Sequence, residues 1–361
     1  MTQRIYCVGL RMKEDDQAEA IESFRELVSL AQTLDYTITG QNFQVIREPN
    51  HSHLIGKGKV AEIAEEISKL KPDVVFVDYH LTPLQSRNLE EDWNVPVIDR
   101  SGLIIEVFRK HATTNEGKLQ VELAKLKYQL PRLTQKNLAY DQQVGGGAVT
   151  RGSGERAIEL ERRHLKERMR RLEFRIKVLA KNRETRSKQR LRAHMPIVAL
   201  VGYTNAGKST LMNALTGANV LIQNKLFSTL DTTVRQRMIG DRRVLFVDTV
   251  GFIRNLPHEL IAAFKSTLEE VLSAWLIIHV FDSSDPDYER HIEIADKVLS
   301  DLGADCIPKL LVANKKDRIS DENIEQVGRQ VNPDLFISAS EKAGTDKLLE
   351  LVSQNLNQPE V

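Results

Sequence analysis

"VALVGYTNAGKSTLMNAL", Val198 to Leu215, decides how this chain is read. A short apolar run reads as a strand, a glycine turn follows, and a lysine–serine pair opens a helix. "GYTNAGKS", Gly202 to Ser209, fits the spacing G-x-x-x-x-G-K-[ST] of a phosphate-binding turn. Its glycines let successive backbone N–H groups converge on phosphate oxygens, and the helix adds its positive dipole end. Gly202, Tyr203, Thr204, Asn205, Ala206 and Gly207 are the expected cradle. Lys208 is expected to reach the β- and γ-phosphates, Ser209 to ligate Mg²⁺, and Thr210 to follow in the first helical turn.

The chain downstream supplies the rest of a nucleotide site. "VLFVDTVGF" (Val244–Phe252) is an apolar strand ending in Asp-x-x-Gly. Asp248 at its tip is placed to hold Mg²⁺ through water, Thr249 and Val250 continue the turn, and the Gly251 N–H is placed to sense the γ-phosphate. "LLVANKKD" (Leu310–Asp317) selects the base. The Asp317 carboxylate can accept both N1–H and N2–H of guanine, which adenine does not offer. Asn314 orients the loop, and the stem of Lys315, followed by Lys316, covers the ring. "FISASEKAG" (Phe336–Gly344) brings backbone N–H groups at Ser338, Ala339 and Ser340 toward guanine O6. The expected ligands are GTP and GDP.

Between these motifs lies "NKLFSTLDTTVRQRM" (Asn224–Met238), with Phe227, Ser228, Leu230 and Asp231 around three threonines. One of Thr229, Thr232 and Thr233 should ligate Mg²⁺ when the γ-phosphate is present, and spacing alone does not choose. Phe252 stands where many GTPases place the glutamine that orients the attacking water. Slow hydrolysis is expected until something else completes the site. Asn205 is a candidate K⁺ ligand in that setting, or a residue that only tightens the turn.

Strands expected near 197–201, 234–239, 244–248, 276–281, 309–313 and 335–337 alternate with helices starting near 207, 256, 286, 321 and 344. That order predicts a doubly wound α/β sheet. Residues 1–110 also alternate: "RIYCVGL", "DVVFVD" and "VPVID" read as strands, and Gln17–Leu34 and Val60–Leu70 as helices. "HLIGKGKV" (His53–Val60) reads as a glycine–lysine turn entering the second of these. From about 111 to 194 the pattern becomes heptad-like. Leu119, Leu123, Leu126 and Leu130 form one seam, with Pro131 expected to end or kink it. Leu165, Met169, Leu172, Ile176 and Leu179 form another, so an antiparallel helical hairpin is expected. Its connection, Gln142–Glu155, has five glycines between Gly145 and Gly154. These fit either a flexible tip or a backbone that approaches a ligand closely.

Charge is unevenly spread. Arg151 to His194 holds 16 Lys and Arg against 6 Glu, a net +10 in a chain of net +1. No charged-then-apolar leader and no spanning apolar run is seen, so a cytoplasmic protein without integral membrane contact is expected. Cys7 and Cys306 read as two buried free thiols.

Taken together these residues resemble the HflX family of ribosome-associated GTPases. "GYTNAGKSTLMNALTGA", "LFSTLDTTVR", "DTVGFIRNLPHELIAAFKSTLEEV" and "NKKD" carry the likeness in the last third. "LIGKGKVAEI", "VIDRSGLIIEVF", "EGKLQVELAKLKYQLPRL" and "GGGAVTRGSGE" carry it upstream. The resemblance implies an N-terminal α/β domain (1–110), a long antiparallel helical hairpin with a glycine-rich tip and a basic second helix (111–194), and a Ras-like P-loop GTPase domain (195–361). It implies Mg²⁺-dependent GTP hydrolysis and binding to the large (50S) ribosomal subunit and its rRNA, with no role for DNA. Splitting or rescue of ribosomes under stress follows from it, by a monomer. Residue by residue it makes Thr229 the switch threonine and Ser209 its Mg²⁺ partner. With the motifs read above, Lys208, Thr229, Gly251 and Asn205 are then expected around the chemistry. The family's Asp-Pro-Thr is replaced here by Asp231-Thr232-Thr233, which leaves those threonines' roles open. Some members carry a further C-terminal domain, whose contacts are not expected in a chain ending here. Two other readings stay open: a signalling switch whose protein effector docks on the hairpin, and a second nucleotide site at Gly56–Lys59.

Overall fold

The computed structural model describes residues 3–136, 151–192, 195–217, 227, 233–254 and 271–356. These fall into two compact units, one built on 1–110 with 118–176, the other on 111–117 and the described residues from 177 onward.

The first unit holds a four-stranded parallel sheet in the order β2-β1-β3-β4. Its strands are β1 (Arg4–Met12), β2 (Thr37–Ile46), β3 (Val74–Asp78) and β4 (Val97–Asp99). Around them run α1 (Gln17–Thr33), α2 (Lys57–Leu70), α3 (Pro83–Trp93) and α4 (Arg100–His111). β1 and β3 are buried on both faces, as inner parallel strands should be. Local chemistry fixes the helix ends. Asp16 caps α1 through Ala18 N–H at 3.0 Å, and Thr82 with Gln85 forms a reciprocal capping box on α3, with Pro83 in its first turn. Gly56 caps α2, as the glycine–lysine turn suggested. β2 was not expected: "TITGQNFQVI" alternates weakly because it is an edge strand with half-exposed faces.

Two long helices complete the helical region, α5 (Asn115–Lys136) and α6 (Arg151–Arg192). The expected seam is visible as burial. Leu119, Leu123, Leu126 and Leu172 are buried, while Leu165, Met169 and Ile176 are half-buried among exposed neighbours. Pro131 does not end its helix, since α5 continues to Lys136. There the guanidinium of Arg132 donates to the Tyr128 carbonyl (3.0 Å), the Leu81 carbonyl (3.1 Å) and the fully buried carboxylate of Asp99 (2.7 Å). That fastening holds the last turns of α5 on the sheet. A second buried ion group joins Arg100 to Asp78 (2.7 Å) and Glu26. Arg151–Glu155, read from sequence as part of the connection, are the start of α6. The remainder of the glycine-rich tip lies outside the described residues.

The second unit is a six-stranded sheet in the order β10-β9-β8-β5-β7-β6. Five strands are parallel: β5 (Ile197–Val201), β7 (Arg242–Asp248), β8 (Leu276–Asp282), β9 (Lys309–Asn314) and β10 (Leu335–Phe336). The edge strand β6 (Thr233–Ile239) is antiparallel to β7. Helices α7 (Lys208–Thr216), α8 (Tyr288–Asp301), α9 (Asp321–Val331) and α10 (Thr345–Leu356) follow. The helix expected near 256 lies outside the described residues. Val198, Leu200, Leu211, Phe246, Ile278, Val312, Leu348 and Val352 meet in one core. Both cysteines are free, but only Cys7 is buried, its thiol pushed up to about 12 by burial; Cys306 is exposed, against expectation, in the turn before β9. Among the described residues no helix is long and apolar enough to cross a membrane.

Candidate functional site

β5 is buried along its whole length and delivers the chain to Gly202 at the carboxyl end of the sheet, where open α/β folds bind ligands. Gly202 has φ +145°, and a Cβ there would lie 2.0 Å from the Val280 carbonyl oxygen. Tyr203, Thr204 and Ala206 are buried, while Asn205 is exposed in the left-handed region at φ +61°. Gly207 caps α7 at φ +94°, where a Cβ would meet Asn314 Nδ2 at 2.2 Å. The first amides of α7 therefore open onto the concave side of the turn without a capping side chain.

Lys208 is buried, and its Nζ donates to the carbonyls of Gly202 (3.0 Å) and Tyr203 (2.8 Å). Burial pulls its pKa down to about 8, against the opposing pull of Asp248. An ammonium desolvated in this way is stabilised by a bound anion. Ser209 Oγ donates to Asp248 Oδ2 at 2.7 Å, so the two candidate Mg²⁺ ligands already meet. Two hard oxygens of this kind suit Mg²⁺, which takes few protein ligands and leaves positions for phosphate and water. Thr210 is half-buried in the same turn. Thr249 is buried and donates to the Leu200 carbonyl at 2.8 Å, and Val250 is also buried, so both act as packing beneath the turn. Gly251 touches the turn itself: a Cβ on it would meet Thr204 Cα at 2.9 Å and Lys208 Nζ at 3.0 Å. The next residue, Phe252, is buried and bridges to the turn through Phe252 N–H to Gly202 O (3.1 Å) and Thr204 N–H to Phe252 O (2.8 Å).

The base end is organised by Asn314 at the tip of β9. Its Nδ2 donates to the Ala206 carbonyl at 2.8 Å, and its Oδ1 accepts from Ala339 N–H at 3.0 Å. One amide thus ties the phosphate turn to the Ser338–Ser340 loop. Ser283 backs it, donating from both N–H and Oγ to the Asn314 carbonyl. Lys315 sits at φ +64° with its Nζ 2.6 Å from Asp282. Lys316 and Asp317 lie in a one-turn 3₁₀ helix and are exposed. The Ala339 N–H is already used by Asn314 and the Ser338 N–H by the Ala343 carbonyl at 2.9 Å, which leaves the N–H of Ser340 for a base carbonyl. The Ser338 and Ser340 hydroxyls lie 3.1 Å apart.

Of the threonine segment, Ser228, Thr229, Leu230, Asp231 and Thr232 lie outside the described residues. Phe227 is buried at φ +58°. Thr233 opens β6 opposite Asp248. Among the described residues no cluster of three His, Cys, Asp or Glu could hold a metal by itself.

Sequence reading missed Asp282 and Ser283, which register opposite and behind Asn314. The cue was "FDSSD" directly after an apolar strand. It also missed a second layer beneath the turn, where the Tyr203 ring stacks on His291 (3.8 Å between centroids, 12° between planes).

Comparison with known proteins agrees with this geometry. Residues 197–315 match the family model described as 50S ribosome-binding GTPase. Residues 21–109 and 111–190 match those described as GTP-binding GTPase N-terminal and GTP-binding GTPase Middle Region. The chain is 45% identical to GTPase HflX of Caldanaerobacter subterraneus subsp. tengcongensis, over 93% of this chain and 77% of that one. It is 40% identical to GTPase HflX of Escherichia coli K12, over 97% and 82%. A crystal structure of SsGBP with GDP is 25% identical with a TM-score of 0.52, over 98% of each chain. With a P-loop, an Asp-x-x-Gly turn and an Asn-Lys-x-Asp base loop on one sheet edge, the chain belongs to the HflX family of GTP-binding GTP hydrolases.

Proposed function

We propose that this chain is a cytoplasmic, Mg²⁺-dependent GTPase that docks on the large ribosomal subunit and uses GTP binding and hydrolysis to split or rescue ribosomes under stress. The convergence of Lys208, Ser209, Asp248 and Gly251 at the start of α7 carries the nucleotide half of this reading. In it Lys208 and the backbone from Gly202 to Thr210 hold the phosphates. Asp317 and the N–H of Ser340, beside Ala339, hold guanine. Ser209, Asp248 and Thr229 hold Mg²⁺, which when bound neutralises charge developing on the phosphoryl oxygens. Phe252 cannot orient a water, because its side chain is buried in the turn. The attacking water is therefore positioned by groups supplied on docking. Asn205, exposed at the rim, is assigned to a K⁺ that adds positive charge there. Equal turnover in potassium and sodium chloride would remove that assignment.

The ribosomal half rests on the description of the matching family and on the +10 stretch that includes α6. Arginines and lysines on an exposed helix suit phosphate contacts that position without reading sequence. The working parts are taken as 1–110, the hairpin 111–194 and the GTPase domain 195–361, acting as a monomer. The test is GTP turnover of the purified chain in potassium buffer, alone and with large subunits, beside an Asp317→Ala control. Strong stimulation supports the reading. Unchanged turnover, with no co-sedimentation of chain loaded with a GTP analogue, sinks it. A protein effector on the hairpin is the second reading, favoured by the exposed Phe174 (69%) and Val178 (46%) on α6.

A further inference from the structure

We propose that Tyr203 is a positioning residue for the γ-phosphate sensor, acting through its hydroxyl on the main chain at Arg254. The inference rests on the reading above, in which Gly251 meets the γ-phosphate.

Among the described residues, three hydrogen bonds fasten the main chain of the strap that leaves Gly251. Two are between main-chain groups, Phe252 N–H to Gly202 O and Thr204 N–H to Phe252 O. The third runs from Arg254 N–H to the Tyr203 hydroxyl, at 2.9 Å. Of these three it is the one made by a side chain, and that side chain stands at a position the phosphate motif leaves open to any residue.

The hydroxyl is held rigidly. The Tyr203 ring is buried and lies flat on the buried imidazole of His291. His291 sits in the first turn of α8, and Asp287 is the residue just before that helix. Asp287 takes the other end of the strap, accepting from the buried Arg254 guanidinium at 3.0 Å. Main chain and side chain of Arg254 are therefore fixed by two residues of one rigid platform. Ordering a residue costs backbone entropy. A strap ordered before the ligand arrives leaves more of the γ-phosphate's interaction energy for binding.

GDP does not use Gly251 in this reading, so the device should act on the triphosphate alone. The test uses full-length Tyr203→Phe, which keeps ring and stack and removes the hydroxyl. Binding of fluorescent GDP and of a fluorescent non-hydrolysable GTP analogue is measured with Mg²⁺. Loss of one buried hydrogen bond predicts binding of the analogue weakened about three- to tenfold relative to that of GDP. His291→Ala, which keeps the hydroxyl but removes its platform, should shift the same ratio in the same direction. Equal weakening of both nucleotides by Tyr203→Phe would overturn the proposal, as would no change in either. A shift with His291→Ala alone would also overturn it, since the hydroxyl would not be the carrier. Failure of the wild-type chain to bind either nucleotide would instead overturn the underlying site assignment.

Discussion

At the level of single residues, the site depends on positions where no other side chain fits. Gly202 combines φ +145° with a carbonyl oxygen 2.0 Å from where a Cβ would stand. Gly202→Ala is expected to destabilise the GTPase unit by about 3 kcal/mol or more, read as a lowered unfolding midpoint in urea. Asp317 is the opposite case, an exposed carboxylate to which the proposed reading gives recognition of the base. Two charge-assisted hydrogen bonds to guanine are worth about 3–6 kcal/mol, so Asp317→Asn should weaken GDP by two to four decades. The same variant should gain binding of xanthosine diphosphate, whose second carbonyl accepts from the new amide. Titration with both nucleotides checks this, and an unchanged preference for guanine would exclude Asp317 from base selection. These residues were legible in the sequence because their spacing and chemistry are local. Tyr203, His291 and Arg254 were not, because a stacked pair and a hydroxyl-to-backbone bond join segments brought together only by the sheet.

At the level of elements, the inner parallel strands were plain in the sequence because burial on both faces gives continuous apolar runs such as "IVALV" and "VVFVD". β2 was hidden, since an edge strand needs no such run, and the helix runs on past Pro131, where Arg132 anchors it. β8 carries an element-level prediction. His279 is buried within it, 3.3 Å from Asp296. Burial lowers the His279 pKa, and His291 is lowered by the same cause. The unfolded chain takes up these protons as pH falls below about 6.5, while the folded chain resists them. Stability is thus fully present above that value and declines on acidification, by up to about 1.4 kcal/mol per pH unit for each group. Thermal unfolding between pH 7.5 and 5.5 should show this slope, and His279→Gln should flatten it. Asp296 follows at lower pH. Burial pushes it up, but His279 and Lys309 beside it bring it down to about 2, so its contribution is lost only as pH falls from about 4 through that value.

At the level of the whole molecule, the charge distribution and the nucleotide site make separate demands. If about four cations of the +10 stretch touch rRNA phosphates, log affinity for large subunits should fall with log salt at a slope near −3. Co-sedimentation across a potassium chloride series measures it, and a flat response would favour an apolar protein partner on α6. Within the GTPase unit, Asn314 has a consequence of its own. Its amide joins the turn at Ala206 to the loop at Ala339, segments 108 and 25 residues away along the chain. In the proposed reading, base and phosphate pockets are therefore two halves of one chelator. Guanosine and pyrophosphate offered separately should each bind feebly, while GDP, which links them covalently, gains the effective concentration of a tethered pair. On that reading selectivity and strength are inseparable: loosening the grip on the base should also loosen the grip on the phosphates.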